Sequence, residues 1–94
     1  MTATLEIRAF MGLSDIFRQR RWSNPKALAV QEPLTGKELL DRLDLEVGMV
    51  EVIFVNGKAV TPELAVVAPG DRVALAPPGV PGPYRVLLGF KNLG

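Results

Sequence analysis

The sequence predicts a small α+β domain, and three observations carry the prediction. Several short stretches alternate in side-chain character with a period of two, as half-buried strands do. One stretch, residues 35–44, instead opens on a complete helix-start signature and continues with an apolar stripe. The chain has 94 residues, enough for one hydrophobic core. One helix among several strands in so short a chain must lie across a sheet to bury its apolar side.

The elements follow in order. In Leu5–Phe10, Leu5, Ile7 and Ala9 face one way and Glu6, Arg8 and Phe10 the other, predicting a strand with one buried face. Residues 11–25 contain Gly12, Ser14, Asn24 and Pro25 and read as a long, partly ordered connection. Residues 26–31 form a second strand, with Leu28 and Val30 alternating against Ala27 and Ala29, and Pro33 stops it. Thr35 is then a helix N-cap with Glu38 three residues on, the reciprocal capping box, and Leu34 and Leu39 can staple the entry. Leu39, Leu40 and Leu43 form the buried stripe, while Lys37, Glu38, Asp41 and Arg42 stay in water.

Residues 50–55 are the most β-prone run. Val52 and Phe54 face one side, Ile53 and Val55 the other, so both faces are apolar. Such a strand is central with cover on each side, or it presents a sticky face; here Ile53 and Val55 are taken as the outer pair. Asn56-Gly57 signals a tight hairpin, because both residues tolerate positive φ. A short return over Lys58–Val60 follows, then a Pro69-Gly70 turn and a last strand at 72–76 with Val73 and Leu75 inward.

Composition narrows the function classes. Apolar residues make up 48% and charged residues 22%, with a net charge of +1, so no overall electrostatic argument exists for nucleic acid or an anionic membrane. The chain has no cysteine and no histidine. That removes a structural zinc site, a disulfide framework, the thiol nucleophile and the usual acid–base side chain. No basic-then-apolar leader and no bilayer-length apolar run occur, so a cytoplasmic, cofactor-free, non-enzymatic protein is expected.

The helix "ELLDRL", the following "VEVIFVNGKAV" and the downstream "APGDRVALAPPGV" together resemble the ubiquitin-like sulfur carriers of the MoaD/ThiS family. These are the small subunit of molybdopterin synthase and the thiamine sulfur carrier. The similarity covers roughly residues 4–82, and its most specific part is the pairing of the Asn-Gly turn with Gly70-Asp71 and Pro77-Pro78. It implies a β-grasp fold, a mixed sheet of four to five strands with one main helix across one face. On that reading residues 1–82 are the β-grasp domain and 83–94 a C-terminal tail extension. The resemblance further implies a protein whose C-terminal glycine is adenylated by an E1-like partner and then carries sulfur as a thiocarboxylate. A larger sulfur-acceptor enzyme subunit would receive it, for molybdopterin or thiamine biosynthesis. Ile53, Val55, Pro77 and Pro78 are the candidate partner-binding residues.

The sequence departs from that pattern where the chemistry should be. The family ends in Gly-Gly soon after the Pro-Pro step; this chain reads Gly79-Val80-Pro81-Gly82-Pro83 and continues through "YRVLLGFKNLG". Two carrier termini are therefore candidates. Gly82 needs cleavage of a Gly-Pro bond, whose missing amide N–H suits few proteases. Gly94 serves as the sequence stands. In a third reading the tail is structural, adding an edge strand or covering the outer sheet face, and the protein is a non-catalytic interaction module.

Three further features were weighed. The cluster Arg18, Arg20 and Arg21 beside Trp22 could meet phosphates, but the small net charge favours a solvated loop anchored by Trp22. Asp41, Asp44 and Glu46 lack the glycine and carbonyl pattern of a calcium loop and read as a solvated helix end. Met11, Met49 and Phe54 read as core or interface filler.

Overall fold

A computed structural model describes residues 3–79. Within them the chain forms seven strands and two α-helices. β1 is Ala3–Ala9, α1 Gly12–Gln19, β2 Lys26–Val30, β3 Leu34–Thr35 and α2 Gly36–Arg42. A 3-10 turn at Val47–Met49 leads to β4, Val52–Val55, and β5, Lys58–Val60. β6, Val66–Val67, and β7, Arg72–Ala76, complete the order. Five strands make a mixed sheet in the order β2-β1-β7-β4-β5, and β3 pairs with β6 in a separate two-stranded ladder. β1 and β7 run parallel at the centre; every other pair in the sheet is antiparallel.

The alternation read from β1 holds in three dimensions. Leu5, Ile7 and Ala9 are buried and Glu6 and Arg8 exposed. The inner residues of β1, Ile53 of β4, and Val73 and Leu75 of β7 meet Leu13 and Phe17 of α1 and Leu39, Leu40 and Leu43 at α2 in one core. Both helices therefore cover the same face.

Residues 11–25 are not the irregular connection the glycine, serine and proline suggested. Gly12–Gln19 is a helix, so the sheet carries two helices rather than one. Leu13, Ile16 and Phe17 have the i, i+3, i+4 spacing that places apolar groups on one side, and Leu13 and Phe17 are buried. Gly12 does no harm in the first turn, where its amide needs no intrahelical partner. Ser14 Oγ donates to the Met11 carbonyl at 2.6 Å and so serves the helix start rather than breaking it. Arg18 pairs with Asp15 one turn back.

Asn24 extends the sheet by its side chain. Its Nδ2 donates to the Ala9 carbonyl at 2.9 Å and its Oδ1 accepts from the Ala9 amide at 3.0 Å. The amide group thus continues the β1–β2 ladder past Lys26, the last backbone pair.

At α2 the capping box is complete. Thr35 Oγ1 accepts from the Glu38 amide at 3.1 Å, and Glu38 Oε1 accepts from the Thr35 amide at 3.0 Å. These Thr35 hydrogen bonds, the backbone one foremost, hold the Glu38 carboxyl below its ordinary value, with Arg42 adding a smaller pull. Gly36 follows because a Cβ there would stand 2.3 Å from the Pro62 carbonyl oxygen, while its amide donates to Ala65 at 2.8 Å.

Candidate functional site

The site that the sequence points to is the end of β7 and the sheet face around it. Two turns fix where that strand lies. Asn56 and Gly57 both have positive φ, 51° and 87°, and Val55 pairs with Lys58 across them, so β4 returns directly as β5. Pro69 and Gly70 form the other turn: Gly70 has φ 94°, and the Asp71 amide donates back to the Ala68 carbonyl at 3.0 Å.

The two turns are tied together. Asn56 Nδ2 donates to Asp71 Oδ1 at 3.0 Å, and Asn56 Oδ1 accepts from the Arg72 amide at 2.9 Å. Asp71 Oδ2 accepts from the Ala68 amide at 2.8 Å, and the Asn56 amide donates to the Arg72 carbonyl at 2.7 Å. Asn56 and Asp71 thus form a clamp that sets the register of β4 against β7. It supplies a physical reason for an Asn-Gly and a Gly-Asp occurring at this separation.

β7 lies between β1 and β4 and leaves the sheet at Ala76. Pro77 is half-buried, Pro78 exposed, and Gly79 exposed with φ 85°. The candidate termini Gly82 and Gly94 lie outside the described residues.

Which face of the sheet is outward differs from expectation. Ile53 is fully buried beneath the helices and Val55 packs against the same core. Neither belongs to an outer docking surface. The period-two alternation was read correctly but assigned to the wrong side. Sequence alone gives β4 two equivalent apolar faces; α1, unrecognised in the sequence, helps make the Ile53 side the interior.

The outer face carries Val52, Phe54 and Ala76 as a second, smaller apolar cluster, with Phe10, Ala59 and Ala74 packed against it. Next to it runs a shallow groove of about 410 Å³ lined by Arg8, Phe10, Phe54, Gly57, Arg72 and Ala74, among others. Arg8 approaches Glu6 at 3.7 Å, both side chains being about half exposed, so the guanidinium remains open to water. Phe10 sits on this face with Glu6 and Arg8, as the alternation of β1 predicts.

The basic cluster takes structural roles. Arg20 Nη1 donates to the Leu43 carbonyl at 2.6 Å and Nη2 to the Asp44 carbonyl at 2.8 Å, satisfying acceptors where α2 ends. Trp22 lies between the Arg20 guanidinium at 4.8 Å and the Lys26 ammonium at 4.7 Å, with its edge toward Phe17 at 5.2 Å. With Arg18 paired to Asp15, the cluster is an α1–α2 bracket, which is the anchored-loop reading in a more ordered form. Asp41, Asp44 and Glu46 are exposed, and among the described residues no group of three acidic side chains gathers to hold a metal ion. Met11 is 45% exposed, while Met49 packs against the main core. No helix among the described residues is long and apolar enough to cross a membrane.

No protein-family model matches the chain, and no curated protein matches it at a significant level.

Proposed function

We propose that this chain is a ubiquitin-like β-grasp sulfur carrier of the MoaD/ThiS kind. Its working group would be a C-terminal glycine carboxylate, adenylated by an E1-like partner with ATP and then converted to a thiocarboxylate. A larger acceptor subunit would take the sulfur for cofactor biosynthesis. The observation that carries this reading is the position of β7: a last strand held at the centre of the sheet, parallel to β1, from whose end the chain continues through Pro77-Pro78. The sheet order and the packing of both helices on one face are compatible with a β-grasp. The chain would supply a terminus and no side-chain chemistry, in keeping with a sequence without cysteine or histidine. Of the two termini, Gly94 is the better candidate, since Gly82 requires cleavage before Pro83.

Intact mass after incubation with an E1-like adenylating enzyme, ATP and a sulfur donor tests it. One sulfur-for-oxygen exchange localised to Gly94 is the expected result. Exchange at Gly82, with loss of residues 83–94, would relocate the terminus, and an unmodified full-length chain sinks the carrier reading.

A second reading rests on the groove between Phe10 and Phe54. Apolar walls with Arg8 and Arg72 at the rim suit an extended partner segment that presents both apolar and acidic side chains. On this reading the chain is an interaction module and no modified terminus forms.

A further inference from the structure

On a sheet with helices on one side only, the other side faces water, and its residues should be exposed. Here they are exposed at one end only. Along β7, outward-facing Arg72 is exposed, Ala74 half-buried and Ala76 fully buried. Along β4, Phe54 is 6% exposed and Val52, the partner of Ala76, 1%. Burial on the outer face therefore increases toward the point where the chain leaves β7.

No described element accounts for this. Both helices pack into the core on the opposite face, and so do Leu34 and Val67 of the β3–β6 ladder. The apolar neighbours of the outer cluster are Phe10, Ala59 and Ala74, themselves only partly buried. A valine in an inner strand cannot lose nearly all contact with solvent to neighbours lying in its own sheet. The structure contains one chain, so the cover belongs to that chain. Met1 and Thr2 enter at the wrong end, because β1 pairs with β7 from Glu6↔Arg72 to Ala9↔Leu75 and Ala3 lies beyond Arg72.

We propose that residues 84–90 are the cover: the chain's own segment "YRVLLGF" lies over the outer face of β4 and β7 on Val52, Phe54 and Ala76. Its pattern fits a strip with one face on the sheet. Tyr84, Val86, Leu88 and Phe90 alternate with Arg85, Leu87 and Gly89, so the apolar set shares a side and the cation points away from the sheet. Residues 80–83, Val-Pro-Gly-Pro, provide turn chemistry immediately before it. Seven extended residues reach about 23 Å, longer than the roughly 17 Å of five-residue β7. A partner docking on the sheet at Val52 and Ala76 must displace this segment, which makes the tail a built-in competitor for that surface. The groove at Arg8 and Arg72 lies toward the uncovered end.

The absence of native cysteine makes the test clean. Ala74→Cys is combined in turn with Val86→Cys, Leu87→Cys and Leu88→Cys in the full chain, and each pair is oxidised mildly. The expected result is an intramolecular disulfide with position 86 or 88, little with 87, and none when exposed Asp41→Cys on α2 replaces Ala74→Cys. No crosslink to position 74, or equal crosslinking to position 41, overturns the proposal. A disulfide joining two chains overturns it in favour of a second copy on the face. On the unsubstituted chain, nuclear Overhauser contacts from the Val52 methyls to Tyr84, Val86, Leu88 or Phe90 are expected, and their absence overturns it independently of any effect of the substitutions on folding. Both measurements use the free chain, so their outcome is separate from the mass change that tests the carrier reading.

Discussion

The two faces of the five-stranded sheet are both apolar at β4, yet they are built differently. The inner face is closed by helices: Phe17, Leu39, Leu40 and Leu43 fill the space over Ile7, Ile53 and Leu75, and all seven are fully buried. The outer face has only Val52, Phe54 and Ala76 buried, beside a groove edged by Arg8 and Arg72. The inner face is thus the part that makes the fold, and the outer face is the part left for recognition. Alternation along a strand creates both faces at once, and the layer packed on one of them decides which role each takes.

The largest expected effect comes from comparing one aromatic residue on each face. Phe17→Ala should cost about 3–5 kcal/mol, because it empties a fully enclosed site. Phe54→Ala should cost less, about 2 kcal/mol, in keeping with a side chain buried at the sheet surface. Urea unfolding of the two variants measures the difference. Equal losses would mean that the outer face is as much a core as the inner one; a loss near zero at Phe54 would mean that it is open to water.

A smaller effect concerns the rim where the faces meet. Asp71→Ala removes both oxygens that receive Asn56 Nδ2 and the Ala68 amide, and should cost about 1–2 kcal/mol. In a double-mutant cycle with Asn56→Ala, the coupling should be positive and the combined loss less than the sum of the single losses. Strict additivity would show that the two turns are not acting as one clamp.

The smallest effect lies on the inner layer, at the start of α2. Thr35→Ala should cost about 1 kcal/mol by removing one half of the capping box. Because Thr35 holds the Glu38 carboxyl below its ordinary value of 4.5, this stabilisation is fully present above that pH. It is lost as pH falls through the lowered value of the folded state. Thermal unfolding at neutral pH should separate wild type from variant, and the gap should narrow in strong acid. A gap that does not change with pH would show that the carboxylate is not part of the cap.

Much of this was legible in the residues themselves. The capping box at Thr35 and Glu38, the positive-φ pair Asn56-Gly57 and the alternation of β1 and β7 are local rules that tertiary contacts only ratified. α1 was missed although Leu13, Ile16 and Phe17 carried its spacing, because the glycine, serine and proline around it gave the stronger signal of irregular chain. The separate β3–β6 ladder could not be foreseen: two-residue strands have no measurable period. The Asn56–Asp71 clamp was visible only as a coincidence of two turn motifs, since hydrogen bonds across fifteen residues leave no periodic trace.

The sequence alone determined that this is one α+β domain, that it brings no thiol or imidazole chemistry, and which residues alternate on each strand. Those properties follow from composition and local periodicity, which need no knowledge of neighbours. Only the tertiary structure decided that Ile53 faces the core while Val52 and Phe54 face outward, and that Arg20 caps α2 rather than meeting a phosphate. The side of a strand that becomes interior depends on what packs against it, and that is set by chain segments far away in sequence.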